Sequence, residues 1–106
     1  MGKIDPKIIE LLKGFKNVVH GKYGVIKLVL FGSTVTGKTT KDSDIDLIVV
    51  VRKYDKHLFE KLMEEWHEEQ GIHYPVDFLQ YSEGRFNEMS RGINIVSQAL
   101  KEGIVI

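Results

Sequence analysis

Apolar and polar positions along this chain change period several times, and each change marks an element. Ile8, Ile9, Leu11, Leu12, Phe15, Val18 and Val19 recur at helical spacing. Asp5-Pro6 ahead of them offers a cap and a first-turn proline, and Gly21 and Gly24 are the expected stop. Val25 to Phe31, VIKLVLF, is a β-rich apolar run and predicts a buried strand. Residues 32–43 carry Gly, Ser and Thr without apolar periodicity, which predicts a loop holding at most one helical turn. Asp44 to Val51, DIDLIVVV, predicts a second strand, and its unbroken apolar tail is that of a central strand covered on both faces.

Tyr54 to Gln70 has the clearest helical pattern. Leu58, Phe59, Leu62, Met63 and Trp66 form one stripe, and Gly71 is the stop. Glu64, Glu65, Glu68 and Glu69, with His67, then read as a solvated acidic face. Tyr74 to Gln80, YPVDFLQ, predicts a third strand with Pro75 near its start. Ser82 to about Leu100 reads as mostly helical with a break near Gly92, and Ile104 to Ile106 as a short final strand. The order predicts one α+β domain over residues 1–106, a small mixed sheet of three or four strands packed with helices.

Composition adds bounds. With 106 residues, 42% of them hydrophobic and 28% charged, the chain can bury one core and has little left for a second lobe. Fifteen basic and fifteen acidic residues cancel, so net charge argues for neither nucleic acid nor a membrane surface. The charge is unevenly spread, however. Residues 1–43 hold eight lysines and three acids, which suits an anionic ligand at the Gly-Ser loop they contain. The absence of cysteine excludes a disulfide framework, a thiolate zinc site and a cysteine nucleophile. No apolar run reaches the ~18 residues of a spanning helix, and no signal-type apolar core follows Met1-Gly-Lys, so the expectation is a cytoplasmic protein.

The loop after the first strand fits two nucleotide-site patterns. Gly32 to Thr39, GSTVTGKT, matches the phosphate-cradling P-loop, G-x-x-x-x-G-K-[ST]. A P-loop opens a long helix and leads to a parallel strand, a crossover of roughly a dozen residues or more. Eleven residues separate Gly32 from Asp44, and the loop consumes most of them. The second pattern is Gly32-Ser33, a short spacer, then Asp44-x-Asp46 at the head of a strand. Two aspartates two apart on a strand share one face, about 6.6 Å apart along the backbone. They can hold the same divalent ions, since Mg²⁺ is commonly bound by one or two carboxylates plus substrate phosphates. Two such ions about 3.5–4 Å apart stabilise both the attacking and leaving oxygens of an in-line displacement. Asp77, an acid within the apolar run Val76-Asp77-Phe78-Leu79, is the candidate third carboxylate, because a charge there is costly unless paired, metal-bound or turned to water at a sheet edge.

On Leu30-Phe31-Gly32-Ser33, Gly37, Asp42-Ser43-Asp44-Ile45-Asp46-Leu47 and Val76-Asp77, the chain resembles the minimal nucleotidyltransferases of the DNA polymerase β superfamily. The resemblance spans roughly residues 5 to 80, with Glu102-Gly103 near the end. It implies that Gly32 and Ser33 hold the triphosphate of an NTP, ATP above the others. Asp44 and Asp46 would bind two Mg²⁺ ions, while Asp77 completes the metal site and helps deprotonate an acceptor hydroxyl. A nucleoside monophosphate would pass to that hydroxyl with release of pyrophosphate. Members of this group often carry Arg where this chain has Thr34 and Thr36. Lys38 and Lys41 are the substitutes at hand, and Lys38 joins Gly32 and Ser33 in the expected nucleotide site. Small members are often paired with a helical HEPN-type protein as toxin–antitoxin modules in which the transferase silences the toxin. The alternatives are a protein of this fold that binds nucleotide or partner without turnover and, on the P-loop pattern, a phosphotransferase.

Overall fold

The computed structural model describes residues 5–37 and 44–106. Helix α1 spans Pro6–Tyr23, capped by the Asp5 carboxylate, which accepts from the Lys7 N–H at 2.9 Å. It runs through Gly21 and ends at Gly24. Strand β1 is Val25–Phe31, and a single helical turn, α2, follows over Ser33–Thr36. Strand β2 is Ile45–Val51, so Asp44 precedes the strand. Helix α3 covers Leu58–Glu64 and continues as a π-helical turn over Glu65–Glu69. Strand β3 is Val76–Ser82, helices α4 and α5 are Glu83–Ser90 and Ile95–Glu102, and β4 is Ile104–Val105.

The four strands form one mixed sheet in the order β3-β2-β1-β4. β1 is antiparallel to β2 and to β4, and β2 is parallel to β3. The antiparallel pairing of β1 with β2 removes the P-loop reading, which needs a parallel crossover between them. The α+β expectation, with a small mixed sheet between helices, holds.

Strand alternation sorts side chains to two faces. Leu47, Val49 and Val51 of β2 pack with Leu12, Phe15 and Val19 of α1 and Leu58, Leu62 and Trp66 of the α3 region. Phe15 lies edge-on to Trp66 with ring centroids 5.1 Å apart. Ile48 and Val50 face the other way, onto Phe86 of α4 and Val96 and Ala99 of α5. β2 is therefore buried on both sides, as its apolar tail predicts. A bulge at Ile26–Lys27 puts Val25 and Leu28 on the same face although they are three apart.

Two local expectations are corrected. The segment from Tyr54 to His57 is not helical, because Asp55 anchors a turn. Its carboxylate accepts from the His57 N–H at 2.9 Å and from Lys61 at 2.6 Å. Glu65 is not on a solvated face but fully buried. Glu65 lies three residues after Leu62 and seven after Leu58, at the edge of the buried stripe, and a π turn follows it, with the Gln70 N–H reaching the Glu65 carbonyl at 2.8 Å.

Candidate active site

The sheet brings the predicted acids together at one end. Asp46 and Asp77 are direct partners in the parallel register of β2 and β3. Asp46 lies on the face of Ile48 and Val50, and Asp77 on that of Leu79 and Tyr81, the side covered by α4 and α5. Asp44 has the same parity just ahead of β2. Asp77 is exposed on β3, an edge strand, so it faces water as well as Asp46.

From the other side, Phe31 pairs with Asp46 across β1 and β2, which delivers Gly32 to the carboxylate. Gly32 has φ 81° and ψ −153°, a region open essentially to glycine alone. A Cβ at this position would collide with Asp46 Oδ2. Backbone and carboxylate approach each other because position 32 has no side chain.

The chain then turns directly into α2. The Val35 and Thr36 N–H groups bond to the Gly32 carbonyl at 3.0 and 3.1 Å, and the Gly37 N–H to the Ser33 carbonyl at 3.0 Å. The N–H groups of Ser33 and Thr34 are not used inside the turn, as at the start of any helix, and can serve an anion. Thr34 is turned inward and Thr36 outward. Lys38, Lys41, Asp42 and Ser43 lie outside the described residues.

Asp46 is half-buried, and its pKa is raised above the ordinary aspartate value. Desolvation is the largest cause, followed by the negative charges of Asp77 and Asp44. Among the described residues no cation contributes. Asp77 and Asp44 are thus near enough for their charges to act on Asp46. Among the described residues no group of three or more acidic, cysteine or imidazole side chains is placed to hold a metal ion by itself. Mg²⁺ does not require one, because it takes one or two carboxylates and leaves its other positions to water and phosphate. An all-oxygen set with excess negative charge fits that ion.

Two residues outside the predicted site lie beside it. Gln98 and Glu102 of α5 line a cavity of about 230 Å³ that reaches Gly32. Of these, only Glu102 falls at a position marked by the resemblance, with its neighbour Gly103. Among the described residues no helix is long and apolar enough to cross a membrane.

Residues 12–106 match the family model described as a nucleotidyltransferase domain. A 43-residue stretch is 42% identical to a protein of Methanocaldococcus jannaschii named as a putative protein adenylyltransferase; the stretch is 41% of this chain and 43% of that protein. A crystal structure of a putative nucleotidyltransferase from Sulfolobus solfataricus superposes with a TM-score of 0.57 over 99% of this chain and 89% of that one. At 19% identity this likeness speaks for the fold.

Proposed function

The chain belongs to the nucleotidyltransferase domain family, and we propose that it transfers a nucleoside monophosphate from ATP to a hydroxyl group of a protein acceptor, with Mg²⁺. The reading is supported most by one juxtaposition: Gly32, in a glycine-only conformation, lies against Asp46, and Asp46 stands in register with Asp77. A phosphate-facing turn and a carboxylate cluster meet there with no side chain between them.

Gly32 lets the triphosphate approach the backbone, and Ser33 donates to it from its hydroxyl and amide. Asp44 and Asp46 are the residues that would hold magnesium, with Asp77 beside Asp46. Bound Mg²⁺ supplies charge neutralisation at the triphosphate and stabilises the oxygens of an in-line displacement. The acceptor oxygen forms a bond to the α-phosphorus, the bond from that phosphorus to the bridging β-phosphate oxygen breaks, and pyrophosphate leaves. Asp77, exposed at the sheet edge, takes the hydroxyl proton. Its place on the edge strand leaves room for a bulky acceptor. Support for a protein acceptor comes from the name of the M. jannaschii relative, and for a HEPN-type helical protein from the family resemblance. Lys38 belongs to this proposal on sequence grounds alone.

The test is to incubate the protein with α-labelled ATP, Mg²⁺ and a HEPN-type protein, beside Asp44→Ala/Asp46→Ala. Labelled acceptor and pyrophosphate, both lost in the double variant, are expected. Tight acceptor binding without label would overturn transfer in favour of a binding-only protein.

A further inference from the structure

A larger cavity, of about 550 Å³, lies at the end of the sheet away from the carboxylates. The register of β1 with β2 sets Phe31 against Asp46 at one end and Val25 against Val51 at the other. Lys22 and Tyr23, the last residues of α1, meet the turn that follows β2 at the Val25–Val51 end and line the cavity with it. Asp46 and Val51 are five residues apart on β2, about 17 Å, so a ligand here stands clear of the Gly32 turn.

The lining is rich in cations, and its acid is already engaged. Lys22 Nζ lies 2.8 Å from the buried Glu65 carboxylate. Asp55 accepts from Lys61 at 2.6 Å and from the His57 N–H at 2.9 Å, and its carbonyl accepts from the Leu58 N–H at 3.0 Å. Those three bonds fix the turn, which holds Lys53, Tyr54 and Lys56 out to solvent. Among the described residues neither Lys53 nor Lys56 pairs with an acid. Tyr54 is 59% exposed, and the Tyr23 ring lies in the same lining with Lys61 Nζ 6.0 Å from its centroid.

These groups call for a particular chemistry. Two ammonium groups without counter-charge favour a ligand with two or more negative charges. Lysine binds phosphate as a point charge, without the fork geometry that arginine imposes. The volume falls within the roughly 300–1,000 Å³ of small-molecule sites and exceeds what a bare phosphate fills. An exposed tyrosine ring beside the ammonium groups offers a face on which a flat heterocycle stacks. The cavity is bounded by one helix end and one turn, dimensions that suit a small molecule rather than a long chain.

We propose that this cavity is a second nucleotide site, which takes a mononucleotide with its phosphates on Lys53 and Lys56 and its base against Tyr54. A nucleotide bound there is too far from Asp46 to supply the transferred group, so the proposal is independent of the chemistry above. Calorimetric titration with ADP, in buffer freed of divalent metal by a chelating resin, tests it. The three side chains are exposed, so their variants keep the fold, which thermal unfolding checks. The wild type should bind ADP without metal, and Lys53→Ala/Lys56→Ala should weaken that binding about tenfold or more. Tyr54→Ala should weaken ADP about fivefold and leave inorganic pyrophosphate unchanged. Absence of metal-free ADP binding, or its persistence in the lysine variant, overturns the proposal. So does tighter binding of a polyglutamate peptide or of single-stranded RNA than of ADP, which would make this surface a docking site for an acidic protein or a nucleic acid. With Mg²⁺ restored, the lysine variant should still bind a non-hydrolysable ATP analogue at the Gly32 turn; loss of both kinds of binding together would mean a single site and overturns the proposal. Metal-free binding in a wild type that shows no Mg²⁺-dependent binding leaves this cavity standing and counts against Gly32 and Ser33 as the triphosphate turn.

Discussion

Glu65 beneath α1 and Asp46 near the start of β2 are both carboxylates withdrawn from bulk water, and their surroundings differ in sign. Glu65 is fully buried and accepts from Lys22 Nζ at 2.8 Å and from the Gln70 amide at 2.7 Å. The hydrogen bond from Lys22, then that from Gln70, holds its pKa below the ordinary glutamate value. Asp46 is desolvated beside Asp77 and Asp44 and is pushed the other way. Among the described residues, the first charge meets a cation and an amide, and the second meets two more carboxylates. A carboxylate satisfied within the chain serves the fold, and one left in need is where chemistry can start.

The contrast extends to pH. Glu65, with a lowered pKa, contributes stability that is present above the ordinary glutamate value and lost as pH falls through its own lower one. Asp46, with a raised pKa, favours the fold when protonated, and that contribution is lost as pH rises through its raised value.

The largest effect that would break the comparison is catalytic. Asp46→Asn should lower nucleotidyl transfer by roughly a thousandfold, measured as labelled acceptor per unit time; transfer within tenfold of wild type would remove Asp46 from the chemistry. Next is Glu65→Ala, which empties a buried site and strands the Gln70 amide. Urea unfolding should show a loss of about 2–4 kcal/mol, while the folded fraction keeps its nucleotide affinity. Gly32→Ala forces an alanine into a glycine-only conformation and against the Asp46 carboxylate. A cost of about 1–3 kcal/mol is expected, together with weaker nucleotide binding by titration. The smallest effect sharpens the comparison most. In metal-free protein at neutral pH, Asp46→Asn should raise stability by at most about 1 kcal/mol, because a partly exposed charge is screened. The gain should fade as pH falls through the raised Asp46 value, and added Mg²⁺ should stabilise the wild type and not the variant. A variant that is less stable at neutral pH would mean that Asp46 is already satisfied.

Several of these features could be read before any fold was known. VIKLVLF and DIDLIVVV announced two strands by period alone, and Asp44, Asp46 and the lone acid Asp77 stood out against apolar neighbours. Glu65 did not, because an acid among Glu64, Glu68 and Glu69 reads as part of a charged face although its helical position borders the Leu58–Leu62 stripe. Its partner Lys22 lies 43 residues away. Tyr54 to His57 was drawn into the helical stripe for a similar reason. The Asp55 side chain offered the backbone another set of bonds, and the turn won. Gln98 gave no signal at all, since an exposed glutamine on an amphipathic helix is ordinary.

By itself the sequence determined the elements and the kind of chemistry they could carry. Alternating and helical apolar periods encode which face of each element must be buried, and the D-x-D spacing at the head of β2 marks Asp44 and Asp46 as a pair, although Asp44 lies just ahead of the strand. Only the tertiary structure decided which elements meet. The order β3-β2-β1-β4 sets Asp77 beside Asp46, the antiparallel turn from β1 lays Gly32 on the same carboxylate, and Gly103 lets α5 close on β1 next to them. Those meetings depend on packing between residues distant in the chain, where local pattern carries no information about the partner.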